Sequence, residues 1–325
     1  GAACYETAEV DMDFGVRMAI PGSEAHTDYF AFPHPTDART NDDGTVDLSD
    51  FPVPGEGLIG FDPIGATADA LDGEVTGWSL LSGIYFRFSK PVDETTVITG
   101  QSVRLINLQT GELHPIVASF EPMRNKFSCG NRLFLQPILA RPLDKSTTYA
   151  AVVTTAVSGT GSCVGPAEPH CTGFVAEFLT RESCEGAGHT WSPAASSYAD
   201  QASCATAGFV YESVAATQIE AMPMLLSGTA PSDEDEKKAW DSYAPLRTYL
   251  GTTTTLSAEE VAGATVFTTG DPTAVVGEIY DLVHEENSPS IVWGPVACIP
   301  GADGKMPASR CGTPSFDATP EPETG

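Results

Sequence analysis

Ile84-Tyr85-Phe86-Arg87-Phe88-Ser89-Lys90-Pro91-Val92-Asp93 sets Ile84, Phe86 and Phe88 to one side and Tyr85, Arg87 and Ser89 to the other. A period of two is the mark of a β-strand with one face on a core. Pro91 has no N–H to give a ladder, so the strand ends there, and the polar stretch Asp93-Glu94-Thr95-Thr96 follows. Working outward, further strands are expected over Val103 to Leu108, Ile116 to Phe120, Leu133 to Gln136 and Tyr149 to Val157. Turn signals at Gln109-Thr110-Gly111-Glu112 and Pro142-Leu143-Asp144-Lys145-Ser146 separate them. Short strands at regular spacing, with little helix between, predict a mainly β fold, an antiparallel β-sandwich.

Three segments carry a resemblance: Phe86-Arg87-Phe88-Ser89-Lys90-Pro91-Val92-Asp93, Ser102-Val103-Arg104-Leu105, and Pro142-Leu143-Asp144-Lys145-Ser146-Thr147-Thr148-Tyr149-Ala150. Together they resemble a bacterial Ig-like domain of the type found in surface-layer proteins. Phe32-Pro33-His34-Pro35-Thr36-Asp37 with Asp43-Gly44-Thr45 upstream, and Ala264-Thr265-Val266-Phe267-Thr268-Thr269 downstream, extend it. The order is similar to the N-terminal region of extracellular bacterial lipases. That resemblance implies an Ig-like sandwich to which the strand near Thr265 returns, with the helical segment before it as a long insertion.

At 325 residues and 41% apolar composition the chain is large enough for a substantial core. No apolar run approaches the ~18 residues of a membrane span, and the first residues lack the basic and apolar regions of a signal peptide. Forty-four acids against 16 bases leave a net charge of −28. Nucleic acid and anionic bilayers are therefore disfavoured as partners, because both are held by clustered Lys and Arg. The acidity reads as a solvated surface suited to the outside of a cell.

Eight cysteines, with no Cys-x-x-Cys, favour disulfides over a zinc ribbon or thioredoxin-like site. Proximity suggests Cys163 with Cys171, Cys298 with Cys311, Cys184 with Cys204 across a short repeat, and Cys4 with Cys129, though sequence alone does not fix connectivity. Bridges of this number place the protein in an oxidising compartment, extracellular or at the cell surface. Cys4 after Gly1-Ala2-Ala3 is similar to a lipidation signal, but lipidating it would leave an odd cysteine.

Five regions follow from composition. Residues 1–75 form a loop-rich lead-in that packs along the sandwich, 76–180 the Ig-like sandwich, and 181–213 a Cys-rich excursion. Residues 214–286 form a helical insertion with a return strand, and 287–325 a Pro- and Gly-rich acidic linker. The excursion repeats Ser-Cys-x-x-Ala-Gly-x-x-aromatic at Ser183 to Trp191 and Ser203 to Tyr211. Trp191 and Tyr211 are candidate binding residues, since exposed aromatics stack on sugars or anchor partners; the alternative is that both fill the excursion's own small core. In the helical region Ser232 and Ser257 are expected caps and Pro245 should kink or split a helix. A last helix after Asp271-Pro272 should bury Val275, Val276, Ile279, Leu282 and Val283.

No Gly-x-Ser-x-Gly elbow, Walker loop, dinucleotide fingerprint or His-Glu-x-x-His is present. The lipase resemblance therefore brings no catalytic residue with it, and no enzyme is expected in this chain. His26 and His34, near Asp28 and Asp37, have ligand chemistry without a site spacing. His114 is expected to be exposed. Asn41, Asp43 and Asp47 around Gly44 echo part of a calcium loop, the one cofactor to weigh, but no glutamate closes it; an acidic turn without metal is the simpler reading. The expected function is a non-catalytic extracellular binding or positioning module with a surface or matrix ligand, in the place of the N-terminal part of a lipase-like hydrolase. The alternative is a structural subunit of an extracellular layer or filament, which would self-associate through sheet edges.

Overall fold

A computed structural model describes residues 12–23, 28–53, 55, 60–124, 129–164, 170–172, 181–187, 189–192, 194, 201–207 and 209–285. His26, Cys4, Cys298, Cys311 and the linker 287–325 lie outside them. Among the described residues eleven strands are formed: β1 (Ile84–Arg87), β2 (Val103–Asn107), β3 (Leu113–His114), β4 (Ile116–Glu121), β5 (Arg132–Pro137), β6 (Thr148–Thr154), β7 (Ser162–Val164), β8 (His170–Thr172), β9 (Thr190–Ser192), β10 (Val210–Glu212) and β11 (Val261–Thr268). The same residues form seven α-helices: α1 (Pro63–Leu71), α2 (Arg181–Gly186), α3 (Gln201–Thr206), α4 (Met222–Leu226), α5 (Glu234–Ser242), α6 (Ala244–Thr252) and α7 (Ala274–Glu285). Helix and strand are about equal in share, so the fold is mixed and sheet-rich rather than mainly β.

Two antiparallel sheets carry the core, a three-stranded β1–β5–β4 and a four-stranded β11–β6–β2–β3. Alternation places Ile84, Phe86 and Phe88 inside with no exposed surface, facing Leu133 and Leu135 of β5. By contrast β6 and β11 are buried along nearly their whole length, which explains their continuous Val/Ala runs. One apolar cluster joins residues of both sheets; each large side chain so buried contributes about 1.5–3 kcal/mol. β11 pairs with β6 from Val261↔Thr154 to Thr268↔Thr148, so the strand near Thr265 does return to the sheet.

The N-terminal segment runs along β1 and adds side chains to the core. Phe14, Val16, Met18, Ala19 and Ile20 are all buried. Phe14 stacks on Phe88 at 5.5 Å, and the Arg17 N–H donates to the Arg87 carbonyl at 2.7 Å. Gly263 of β11 is required by this thread, because a Cβ there would lie 2.4 Å from Val16. Three arginines fasten it through ion pairs, two of them buried. Arg17 binds Glu220 at 2.9 Å, Arg87 binds Asp28, and Arg39 forks onto Asp50 while its guanidinium lies over the Tyr29 ring. Glu220 also accepts the Met18 N–H, and its backbone sits at φ 52°, a strained value for a residue with a side chain.

Pro245 splits the helical region, with α5 ending at Ser242 and α6 beginning at Ala244. The cap of α5 is Asp233, not Ser232: the Asp233 carboxylate accepts from the N–H groups of Asp235 and Glu236. Ser257 and Glu260 form the expected capping box. The final helix α7 lies in a second compact unit, Thr273–Gly325. Of its expected buried residues, Val276, Ile279 and Leu282 are each more than half exposed.

The Cys-rich region is two copies of a helix–turn–strand unit, α2–β9 and α3–β10. Matching turns close them: the His189 N–H donates to Cys184 O and the Phe209 N–H to Cys204 O, both at 3.1 Å. Each copy pairs with a strand from upstream, β9 with β8 and β10 with β7. The disulfide joins Cys163 to Cys204. This overturns the Cys163–Cys171 and Cys184–Cys204 pairings suggested by proximity. Chain neighbours Cys163 and Cys171 stand on different two-stranded sheets, and strand pairing with β10 brings α3 to Cys163. Cys184 and Cys129 are also disulfide-bonded, and both are buried.

Candidate functional site

Threonine dominates one groove of about 630 Å³, formed where the β2–β3 turn meets α6 and the run after it. The turn supplies Leu108, Gln109, Thr110 and Gly111; the helix and its exit supply Pro245, Thr248, Tyr249, Thr252, Thr253 and Thr255. The turn is built by Asn107, whose side-chain oxygen accepts from the N–H groups of Gln109 and Thr110 at 2.9 and 3.1 Å. Gly111 then takes φ 75°, where glycine is at ease, close beside the Tyr249 ring. On the other wall Thr248 and Thr252 spend their hydroxyl protons on the helix's own carbonyls, leaving oxygen lone pairs toward solvent. Not one lining residue is charged. In a chain of net charge −28 that neutrality marks the groove off from the rest of the surface.

A second basin of about 430 Å³ lies beside it, lined by Thr95, Thr96, Thr154 and Thr155 among others. Arg104 stands at the join, its guanidinium donating to the Thr255 carbonyl at 3.0 Å and the Gln101 carbonyl at 2.8 Å. Neighbouring Glu260 accepts the Ser257 N–H, which holds its carboxyl below the usual range. Both charges at the join are thus committed to local bonds.

A third groove, of about 610 Å³, contains Asp37, Asp42, Asp271, Lys238, Ser146 and Ser242. Burial raises the Asp37 pKa, against the pull of the Thr268 hydroxyl and N–H, which it accepts at 2.7 and 2.8 Å. The nearby Trp78 indole N–H also lowers it without completing a hydrogen bond. A perturbed acid in a cleft is a catalytic signature, but here the carboxylate is used to tie the N-terminal thread to β11. Asp271 is engaged by Lys145 at 2.9 Å.

The histidines are placed structurally. His34 sits among Tyr29, Phe51, Trp78 and Tyr85, its Nδ1 3.0 Å from the Tyr29 hydroxyl. Part of its surface stays open, yet the surrounding protein desolvates the ring. That, with Arg39 nearby, lowers its pKa to about 3. Asp28 and Asp37, expected beside it as ligands, turn instead to Arg87 and Thr268. His114 is buried rather than exposed, bonded through Nε2 to the Arg141 carbonyl at 2.9 Å and packed edge-on to Tyr149.

Asn41 and Asp43 do come together, around Thr45. Asp43 accepts the Thr45 N–H and hydroxyl, and Asn41 donates to the same hydroxyl. Those bonds hold the Asp43 carboxyl below its ordinary range. Asp47 instead accepts the N–H and hydroxyl of Ser49. Among the described residues no group of three His, Cys, Asp or Glu is arranged to hold a metal. Trp191 and Tyr211 are half-buried on separate strands, β9 and β10; Tyr211 packs on the Cys163–Cys204 bridge.

The groove was missed in sequence because its walls are more than a hundred residues apart. The readable signal is the run Thr252-Thr253-Thr254-Thr255 at the end of α6. No protein-family model, curated protein or solved structure matches the chain.

Proposed function

We propose that this chain is a non-catalytic binding or positioning module of a secreted or cell-surface bacterial protein, built on an Ig-like β-sandwich, in the place of the N-terminal part of a lipase-like hydrolase. Its ligand surface is the threonine groove, and the ligand class is a neutral, hydroxyl-rich polymer such as an uncharged polysaccharide. One observation carries this reading: an open groove lined by hydroxyls, an amide and a tyrosine, without a charge, on a strongly acidic chain. A neutral glycan approaches such a surface without the repulsion an anionic ligand would meet. Threonine oxygens and the Gln109 amide offer bonds to its hydroxyls, and the Tyr249 edge offers an apolar contact.

The cysteine count, the bridge Cys163–Cys204 and the acidic balance support placement outside the cytoplasm. Affinity electrophoresis in gels containing neutral polysaccharides tests the function. Retardation by at least one neutral polymer, lost in Gln109→Ala and Thr248→Glu with the fold retained, is the expected result. Free migration in every neutral polymer, or unchanged retardation of both variants, would contradict it. Hydrolysis of short-chain esters by this chain would overturn the non-catalytic reading separately.

A further inference from the structure

Each principal sheet has two edges; two of the four are covered and a third is very short. β1 is covered by the N-terminal thread: Tyr85 exchanges both main-chain hydrogen bonds with His34, at 2.7 and 3.2 Å, and the Arg87 carbonyl accepts from Arg17. β11 is capped along its length, where the Tyr243 hydroxyl donates to the Ala264 carbonyl and the Trp78 N–H to the Thr268 carbonyl. β3 is only two residues long. β4, six residues long, is the outer strand of β1–β5–β4 and pairs with no other described strand.

The direction of its free groups follows from the ladder. Tyr85 faces away from β5, so its neighbours Ile84 and Phe86 bond β5 at Leu135 and Leu133. Main-chain groups alternate sides along a strand. Phe134 and Gln136 therefore face β4 and meet Ser119 and Val117. The N–H and C=O groups of Ile116, Ala118 and Phe120 are left pointing outward, and none has a hydrogen-bond partner among the described residues. Natural edge strands are ordinarily blunted by charge, bulges or proline. Here prolines bracket the strand at 115 and 122, but inside it Glu121 is the single charge. Val117 is 58% exposed and Leu139 beyond β5 is 73% exposed.

We propose that β4 is a seam between two copies of this chain, paired antiparallel about Ala118 to give a continuous sheet β1–β5–β4–β4–β5–β1. The strand is complementary to itself. Ile116 meets Phe120 of the other copy, Ala118 meets Ala118, and every outward N–H finds a carbonyl. In that register Val117 lies across from Ser119 and Glu121 across from Pro115, so no acid opposes an acid. For two chains each carrying −28, local neutrality at the contact is the requirement that a foreign partner would not impose. This inference does not depend on the threonine groove.

Sedimentation equilibrium on the full chain, at low and high salt, tests it. A reversible monomer–dimer equilibrium is expected, strengthened by salt as the net charges are screened. Ala118→Pro removes one outward N–H without touching the ladder to β5, and should weaken association at least tenfold. Val117→Glu, which changes only an exposed side chain, should do the same and serves if the proline variant fails to fold. A wild-type monomer at concentrations on the order of 100 µM in both salts would overturn the proposal. So would a dimer that Val117→Glu leaves intact, and pairing with a foreign strand would then be the reading of the open edge.

Discussion

The N-terminal thread and the Cys-rich repeat invert what their secondary structure suggests. The described residues of 12–50 contain no regular strand, only short 3-10 turns and single bridges, yet many of them are buried against the core and fastened by ion pairs. The described residues of the repeat at 181–212 are mostly helix and strand, yet its small core is Cys163 and Cys204 with Phe209 and Tyr211 against them. Regular hydrogen bonding and integration into a fold are separate properties. The thread is held by apolar burial and paired charge, the repeat by cross-links.

The largest effect should come from cutting the thread out of the core. Phe14→Ala removes a ring stacked on Phe88 and should cost about 3–5 kcal/mol, read as a lower denaturant midpoint with an unchanged slope. Arg17→Met leaves Glu220 charged and without its arginine in a residue only 14% exposed; about 3 kcal/mol should be lost. A loss below about 0.5 kcal/mol for both variants would mean that the thread adds little to the core.

Protonation of His34 gives an intermediate effect. Its folded pKa is lowered to about 3 from an ordinary 6.5, so above pH 6.5 both states are neutral and the group contributes nothing. Below that, the unfolded chain takes up a proton the folded chain refuses. Stability should therefore fall between pH 6 and pH 4, with a bound of about 1.4 kcal/mol per pH unit from this group. Asp37 acts with the opposite sign, because its raised pKa favours the folded state as acid is added. Denaturant titrations of His34→Gln should show a shallower decline over that range; an identical decline would mean the ring is hydrated in the fold.

The smallest effect on the whole should come from the repeat. Cys163→Ser with Cys204→Ser opens a closure of 41 residues, yet the two-sheet core should melt within about 1 kcal/mol of wild type, because a local unit can open without global unfolding. Limited proteolysis should instead cut near residues 181–212. Since the two copies match in turn and register, peptide mapping should recover Cys171 linked to Cys184, the counterpart of Cys163–Cys204.

Much of the two-sheet core was legible, because β1, β4 and β5 alternate and glycine or proline turns punctuate them. β6 and β11 were also found, since β-branched runs between turn signals have few other uses. The thread was not. Val16, Met18 and Ile20 alternate over too short a run, and its burial depends on Gly263 and Glu220, more than 200 residues away. The α5 cap was misplaced by one residue because Ser232 and Asp233 are both good caps and only geometry separates them. Cysteine pairing failed because proximity in sequence does not encode strand partners. The groove and the open edge are both products of topology, visible only once β2 and α6, or β5 and β4, are neighbours.

Native-state hydrogen exchange tests the contrast most directly. The amides of Arg17, Ala19 and His34, all bonded within or beside the thread, should exchange only with global unfolding, at the same free energy as those of β6. The amides of His189 and Phe209 in the repeat should exchange through local opening at much lower free energy. Thread amides that open locally, or repeat amides that open only with β6, would contradict the account.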